Sequence, residues 1–266
     1  ACATDVPEQA WYVAEEPGDV VLAPGERDRD WWQRCNPEAR VVVTGHALWD
    51  VYHSVPRPER PEKMVILWGD QSPTNQAQTA DYWASRDVPE LAWQAFLKYL
   101  EQAKIDGVVF KARKHETPGY TEGRWWLLLD LCMKRGVECR YHDGPPVEAF
   151  NGVSLAVVQD SNLGVEALHL GIPVISITRP GSMLFDHGGA FCVDGVSPNL
   201  VDELGEAIRD GLRLSQAGLG FLTDTAVTYN RGAADGGSMA RAVAAISVVA
   251  SYGVEALERS AELVTA

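Results

Sequence analysis

The sequence predicts an α/β protein built on a doubly wound parallel sheet, and three observations predict it. From residue 64 onward, short apolar and β-branched runs alternate with segments of helical spacing, the pattern of strands laid parallel and joined by crossover helices. The runs are short and fully apolar, as strands covered on both faces are. One stretch, DSNLGVEALHLGIPVISI at 160–177, compresses the motif. An apolar run over 154–158 enters it, small polar residues turn it, a short helical pattern follows, and Gly-x-Pro leads into a second apolar run.

The elements follow in chain order. Residues 20–22 and 41–44 read as strands, with a short helix over 27–35 whose apolar side carries Trp31 and Trp32. Residues 54–63 (SVPRPERPEK) are rich in proline and charge, lack an apolar period and read as a linker. A buried strand over 64–68 ends at Gly69. Leu91, Ala95, Phe96, Tyr99, Leu100 and Ala103 give 88–104 helical spacing. A strand at 107–111 precedes a helix at 124–135, whose Trp125, Leu128, Leu129 and Cys132 share a side and which stops at Gly136. A strand at 137–141, a helical turn at 147–150, a strand near 190–193 and helices at 199–214 and 239–252 complete the expectation. The domains expected are a partial N-terminal segment with linker over 1–60 and a Rossmann-like domain over 61–266.

The chain has 266 residues, 46% hydrophobic and 23% charged, within the ordinary range of globular proteins. A formal net charge of −14 disfavours a nucleic-acid partner, which usually needs a basic field. No apolar run approaches the ~20 residues that span a bilayer. The first ten residues contain Asp5, Pro7 and Glu8 and no apolar block, unlike a secretory signal. The five cysteines are scattered, odd in number and without C-x-x-C spacing. That argues against zinc or a disulfide framework and for reduced thiols in the cytoplasm. There is no G-x-S-x-G elbow, Walker A run or kinase signature.

Four motifs, in order, resemble the C-terminal, nucleotide-sugar-binding half of GT-B glycosyltransferases, with the flavour of capsule and surface-polysaccharide and CDP-glycerol glycerophosphotransferase-like enzymes. VVVTGHALWD at 41–50 resembles the V-T-G-N-P-x-x-D segment that closes the N-terminal domain there. VFKARKH at 109–115 resembles a strand followed by a K-x-H-P turn, although Glu116 stands where the proline would be. Residues 161–174 resemble S-S-x-x-x-E-A-L-x-x-G-x-P-V. YNRG at 229–232 with DGGSMAR at 235–241 resembles D-G-x-A-S-x-R before the last helix. The resemblance implies binding of a nucleotide-activated sugar and transfer of the glycosyl group to a hydroxyl acceptor, without a metal or other cofactor. The base, among UDP, CDP and GDP, stays open. A full enzyme of this kind has a complete N-terminal domain, so the resemblance also implies a second chain or a further N-terminal domain as partner.

Each candidate residue has a functional and a structural explanation. Ser161, Asn162 and Gly164 open the helix of the βαβ unit, where a donor phosphate would meet the positive end of the helix dipole; Ser and Asn are also ordinary helix caps. Glu166, a turn further in, would accept from the ribose hydroxyls by the resemblance, since a carboxylate offers two acceptor oxygens to a diol. It is equally an acid favoured by the dipole. Lys111, Arg113, Lys114 and His115 follow a strand directly and suit a diphosphate, or form a solvated basic loop. Asp70 and Ser72 follow the first strand of the large domain and reach toward the donor, or make an Asx-turn. Arg179, Asp186 and His187 follow the strand at 174–177, on the sugar side or in a surface loop. His46 and Asp50 are spaced as helical ligands would be, but no third ligand is near. His46 is the one candidate for a catalytic base, whose assignment stays open. Two other roles stand beside transfer: a sugar-nucleotide 2-epimerase or hydrolase of the same fold, and a non-catalytic binding or assembly subunit.

Overall fold

The computed structural model describes residues 20–56, 61–70, 88–112, 120–159, 161–178, 191–214, 235–253 and 256–259. The chain divides into two compact units, one made of residues 1–56 with 227–266 and the other of residues 57–226.

The larger unit holds a sheet of six strands: β3 (Val65–Gly69), β4 (Gly107–Lys111), β5 (Glu138–His142), β6 (Leu155–Val158), β7 (Val174–Thr178) and β8 (Phe191–Asp194). Their spatial order is β5-β4-β3-β6-β7-β8, and every pairing is parallel. The helices are α3 (Val88–Gln102), α4 (Tyr120–Arg135), α5 (Pro146–Ala149), α6 (Asn162–His169) and α7 (Leu200–Arg213). Strand order therefore reverses between β3 and β6, which is the topological switch point of a doubly wound sheet. The expected fold class is the observed one.

Pleat alternation sorts the strand residues between two faces. Ile66 and Trp68, Val108 and Phe110, Leu155 and Val157, and Ile175 and Ile177 enter one core with α3, α4 and α7. Aromatic rings fill it: Trp68 stacks on Phe96 with centroids 4.5 Å apart, and Trp93 meets Phe110 edge-on at 6.1 Å. Aromatic pairs of this kind add ~0.5–1.5 kcal/mol beyond their burial. Leu67, Val109, Ala156 and Val158 alternate with these residues and are also buried. Burial on both faces explains why these strands read as unbroken apolar runs.

The smaller unit pairs β1 (Val20–Ala23) and β2 (Arg40–Val43) in parallel, with α1 (Glu26–Cys35), a 3-10 turn (Ala47–Trp49) and α2 (Asp50–Ser54). It also contains α8 (Ser238–Tyr252) and α9 (Ala256–Arg259). This division differs from the expected single domain over 61–266, because residues 227–266 group with the N-terminal segment. Hydrogen bonds explain this. Asp50 caps α8, accepting from the backbone N–H of Ser238 at 3.3 Å and of Met239 at 3.2 Å. Arg241 on α8 donates from Nε to the Thr44 carbonyl at 2.9 Å and grips Asp235 with both terminal nitrogens, at 2.7 and 3.0 Å. The first and last motifs of the sequence thus meet each other. Nor do His46 and Asp50 share a helix: His46 precedes the 3-10 turn with extended backbone, φ −108° and ψ 106°, and Asp50 begins α2 with its carboxylate as the acceptor that caps α8. Two short elements, α2 and α9, went unforeseen, having too few residues to show a period.

Candidate functional site

The site belongs to the larger unit, at the carboxyl edge of the sheet where β3, β4 and β6 end side by side. β3 ends at Gly69 because nothing larger fits. A Cβ there would lie 2.7 Å from Leu163 Cδ2 and 3.3 Å from Val158 Cγ1, so the glycine lets the first turn of α6 lean onto the sheet at the switch point.

Asp70 comes next and is nearly buried. Its N–H donates to the Lys111 carbonyl at 3.0 Å, which continues the β3–β4 ladder past the strand end. Its carboxylate accepts from Trp68 Nε1 at 3.2 Å and from Arg124 Nη1 at 2.8 Å. The Asp70 and Arg124 side chains are only 0% and 4% exposed. Arg124 also donates from Nη2 to Glu90 Oε2 at 2.9 Å and to the Pro89 carbonyl at 3.2 Å, and its guanidinium lies over the Trp93 ring, 5.3 Å from the centroid. One arginine therefore ties the end of β3 to the starts of α3 and α4. Sequence reading missed this residue. Its signal was a charge at the i−4 position from Leu128, on the buried side of α4.

At the end of β4, Lys111 is buried and its Nζ donates to the Ala112 carbonyl at 2.7 Å. Arg113, Lys114 and His115 lie outside the described residues, as do Ser72, Arg179, Asp186 and His187.

β6 runs into α6 through Gln159 and Ser161. Ser161 is the N-cap, with extended backbone at φ −120° and ψ 142°. Its Oγ accepts from Leu163 N at 3.3 Å, and its carbonyl accepts from Gly164 N at 2.9 Å. The hydroxyl that accepts this N–H keeps its own proton as a donor. Asn162 is exposed, Glu166 half-buried and Gly164 buried, so the edge grades from solvent into core within one turn. Gln159, which the sequence reading passed over, is 3% exposed. Its signal was period two: it continues the inward row of Leu155 and Val157 with a polar side chain.

His46 lies in the smaller unit and stacks on Trp49, with ring centroids 5.0 Å apart. Among the described residues no group of three or more His, Cys, Asp or Glu side chains could hold a metal ion. Nor is any helix there long and apolar enough to cross a membrane.

The whole arrangement, a six-stranded parallel sheet reversing beside a capped helix N-terminus, is a Rossmann-like α/β fold that matches one half of the GT-B fold. Solved structures share it. A Listeria monocytogenes protein assigned as a UDP-N-acetylglucosamine 2-epimerase matches with a TM-score of 0.60 at 14% identity, over 88% of this chain and 60% of its own. A UDP-GlcNAc 2-epimerase of Methanocaldococcus jannaschii, solved with UDP-GlcNAc and UDP, matches with a TM-score of 0.53 at 12% identity, over 85% of this chain and 61% of its own. A glycosyltransferase of Rickettsia africae matches with a TM-score of 0.53 at 12% identity, over 91% of this chain and 67% of its own. The chain thus spans 60% and 61% of the lengths of the two epimerase structures. No protein-family model matches the sequence, and no curated protein does.

Proposed function

We propose that this chain is the donor-binding half of a GT-B-type enzyme, holding a nucleotide-activated sugar for transfer of its glycosyl group to a hydroxyl acceptor. One observation carries the reading: the switch point of the sheet coincides with the capped N-terminus of α6, the place where doubly wound sheets bind nucleotides. The diphosphate would sit against the positive end of α6 and the Ser161 O–H. The basic turn of Arg113, Lys114 and His115, next along the chain from Lys111, would supply cations to the leaving diphosphate as its charge develops. Glu166 would hold the ribose diol. The remaining parts of the acceptor site would come from a further domain or a second chain, and His46 stays the candidate for the catalytic base.

A second reading, a sugar-nucleotide 2-epimerase or hydrolase, has its own support in two of the neighbours, which bear epimerase names. Titration with UDP, CDP and GDP and the corresponding nucleotide sugars tests the shared part. A nucleotide at 100 times its Kd adds about 2.7 kcal/mol of stability, or roughly 5–10 °C in melting temperature for a domain of this size. Absence of any shift with all three bases overturns both readings. With a binding nucleotide sugar in hand, consumption that requires an added hydroxyl acceptor supports transfer, and consumption without one supports the epimerase or hydrolase.

A further inference from the structure

β3 and β6 end in register. Trp68 pairs with Val157, so Asp70 and Gln159 stand two residues beyond the same rung, and the pleat carries both side chains to the side of Trp68. Asp70 is engaged by Arg124 and Trp68. Gln159 is not: its Oε1 and its Nε2 are both buried, and neither has a hydrogen-bond partner among the described residues. Burying a polar group without a partner destabilises the fold, and a carboxamide buries two. Leucine would fill the same space in a row already made of Leu155 and Val157. A glutamine here has a stability cost that a bound group would offset.

We infer that Gln159 is a specificity-determining residue that reads the glycosyl group of the nucleotide sugar. The inference rests on the donor-binding reading given above. Chemistry selects the part of the donor. Phosphate oxygens are acceptors only, so they suit Nε2 but oppose Oε1, and the end of α6 already meets them with donors. The ribose diol falls to Glu166. Sugar hydroxyls each donate and accept, as a carboxamide does, and an acetamido substituent would pair with it in the same two-sided way. Position agrees: Gln159 lies two residues before the Ser161 cap, and burial gives way to exposure by Asn162. Gln159 is the floor of the edge and Asn162 its rim.

The test is Gln159→Leu in the full chain, read by melting temperature and by calorimetric titration with a nucleoside diphosphate and with its nucleotide sugars. The expected result is a melting temperature unchanged or raised, unchanged affinity for the diphosphate, and a loss of roughly tenfold to a hundredfold for the nucleotide sugar, the worth of one or two hydrogen bonds. Gln159→Glu keeps the shape but not the donor, and should also weaken the nucleotide sugar selectively. Equal affinities in wild type and Gln159→Leu overturn the assignment. So does an equal loss for diphosphate and nucleotide sugar, which would move the contact to the base or ribose. A markedly lower melting temperature with unaltered binding would make Gln159 structural. A wild-type chain that binds no nucleotide removes the donor site itself, and the role of Gln159 with it.

Discussion

The two strands that flank the switch point end in opposite ways. At the end of β3 a charged residue is engaged by the protein: the Asp70 carboxylate meets Arg124 and Trp68, and Arg124 in turn lies over the Trp93 ring. At the end of β6, one strand away and in register, an uncharged amide is buried with no such partner among the described residues. The more polar residue is thus the structural one, and the milder one is left for chemistry. A charge at a strand end is a poor guide to function until its partners are known, because burying it requires the protein to supply those partners first.

The largest effect should come from breaking the β3 side. Arg124→Met removes the ion pair of the buried Asp70 carboxylate, and should cost about 3–5 kcal/mol in a urea unfolding experiment. Combining it with Asp70→Leu removes both charges and should recover much of that loss. A small cost for Arg124→Met alone would show that the pair is not the anchor described here.

The helix that follows β6 gives a smaller and two-sided test. Ser161→Ala removes the cap of α6 and should cost ~1 kcal/mol of stability. If the edge holds a diphosphate, the same change should also weaken the nucleoside diphosphate, the ligand that Gln159→Leu leaves untouched. Stability lost with diphosphate affinity intact would confine Ser161 to capping.

The smallest effect lies in the other unit. The Arg241 hydrogen bonds hold the Asp235 carboxyl down at about 2, helped by the Gly237 N–H. A carboxyl with a lowered pKa contributes stability above its unfolded value of about 3.9, and that contribution fades as pH falls through about 2. Asp235 is 48% exposed, so solvent screening reduces the contribution to below about 1 kcal/mol. Asp235→Asn should therefore flatten the stability profile slightly between pH 4 and 2, and the difference from wild type should shrink in high salt. A steep loss near neutral pH would contradict the assignment.

Much of this architecture is a local property of the sequence. β3, β4, β6 and β7 are uninterrupted apolar runs because both faces of the sheet are covered, and α6 announces itself through Ser161 before and Gly171-Ile172-Pro173 after. The rest is set by partners far along the chain. Arg124 finds Asp70 across 54 residues, and Asp50 finds the start of α8 across 188. No periodicity encodes such meetings. For the same reason the His46–Asp50 spacing, read against a metal site, gave no hint that the carboxylate caps a helix. Within the candidate site, Ser161, Asn162 and Glu166 were visible as a helix start, whereas Gln159 was hidden because one polar residue at the end of an apolar run looks like the run simply stopping.

The grouping of residues 1–56 with 227–266 has a consequence for biosynthesis. Domains tend to fold as units while the ribosome is still at work. Here the sheet unit, 57–226, is contiguous and can close as soon as it has cleared the exit tunnel. The strands β1 and β2 precede the sheet unit in the chain and α8 follows it, so Asp50 and the Thr44 carbonyl meet their α8 partners only after the sheet unit has been made. A premature stop between the sheet unit and Arg241 would therefore leave β1 and β2 without the helix that Asp50 caps.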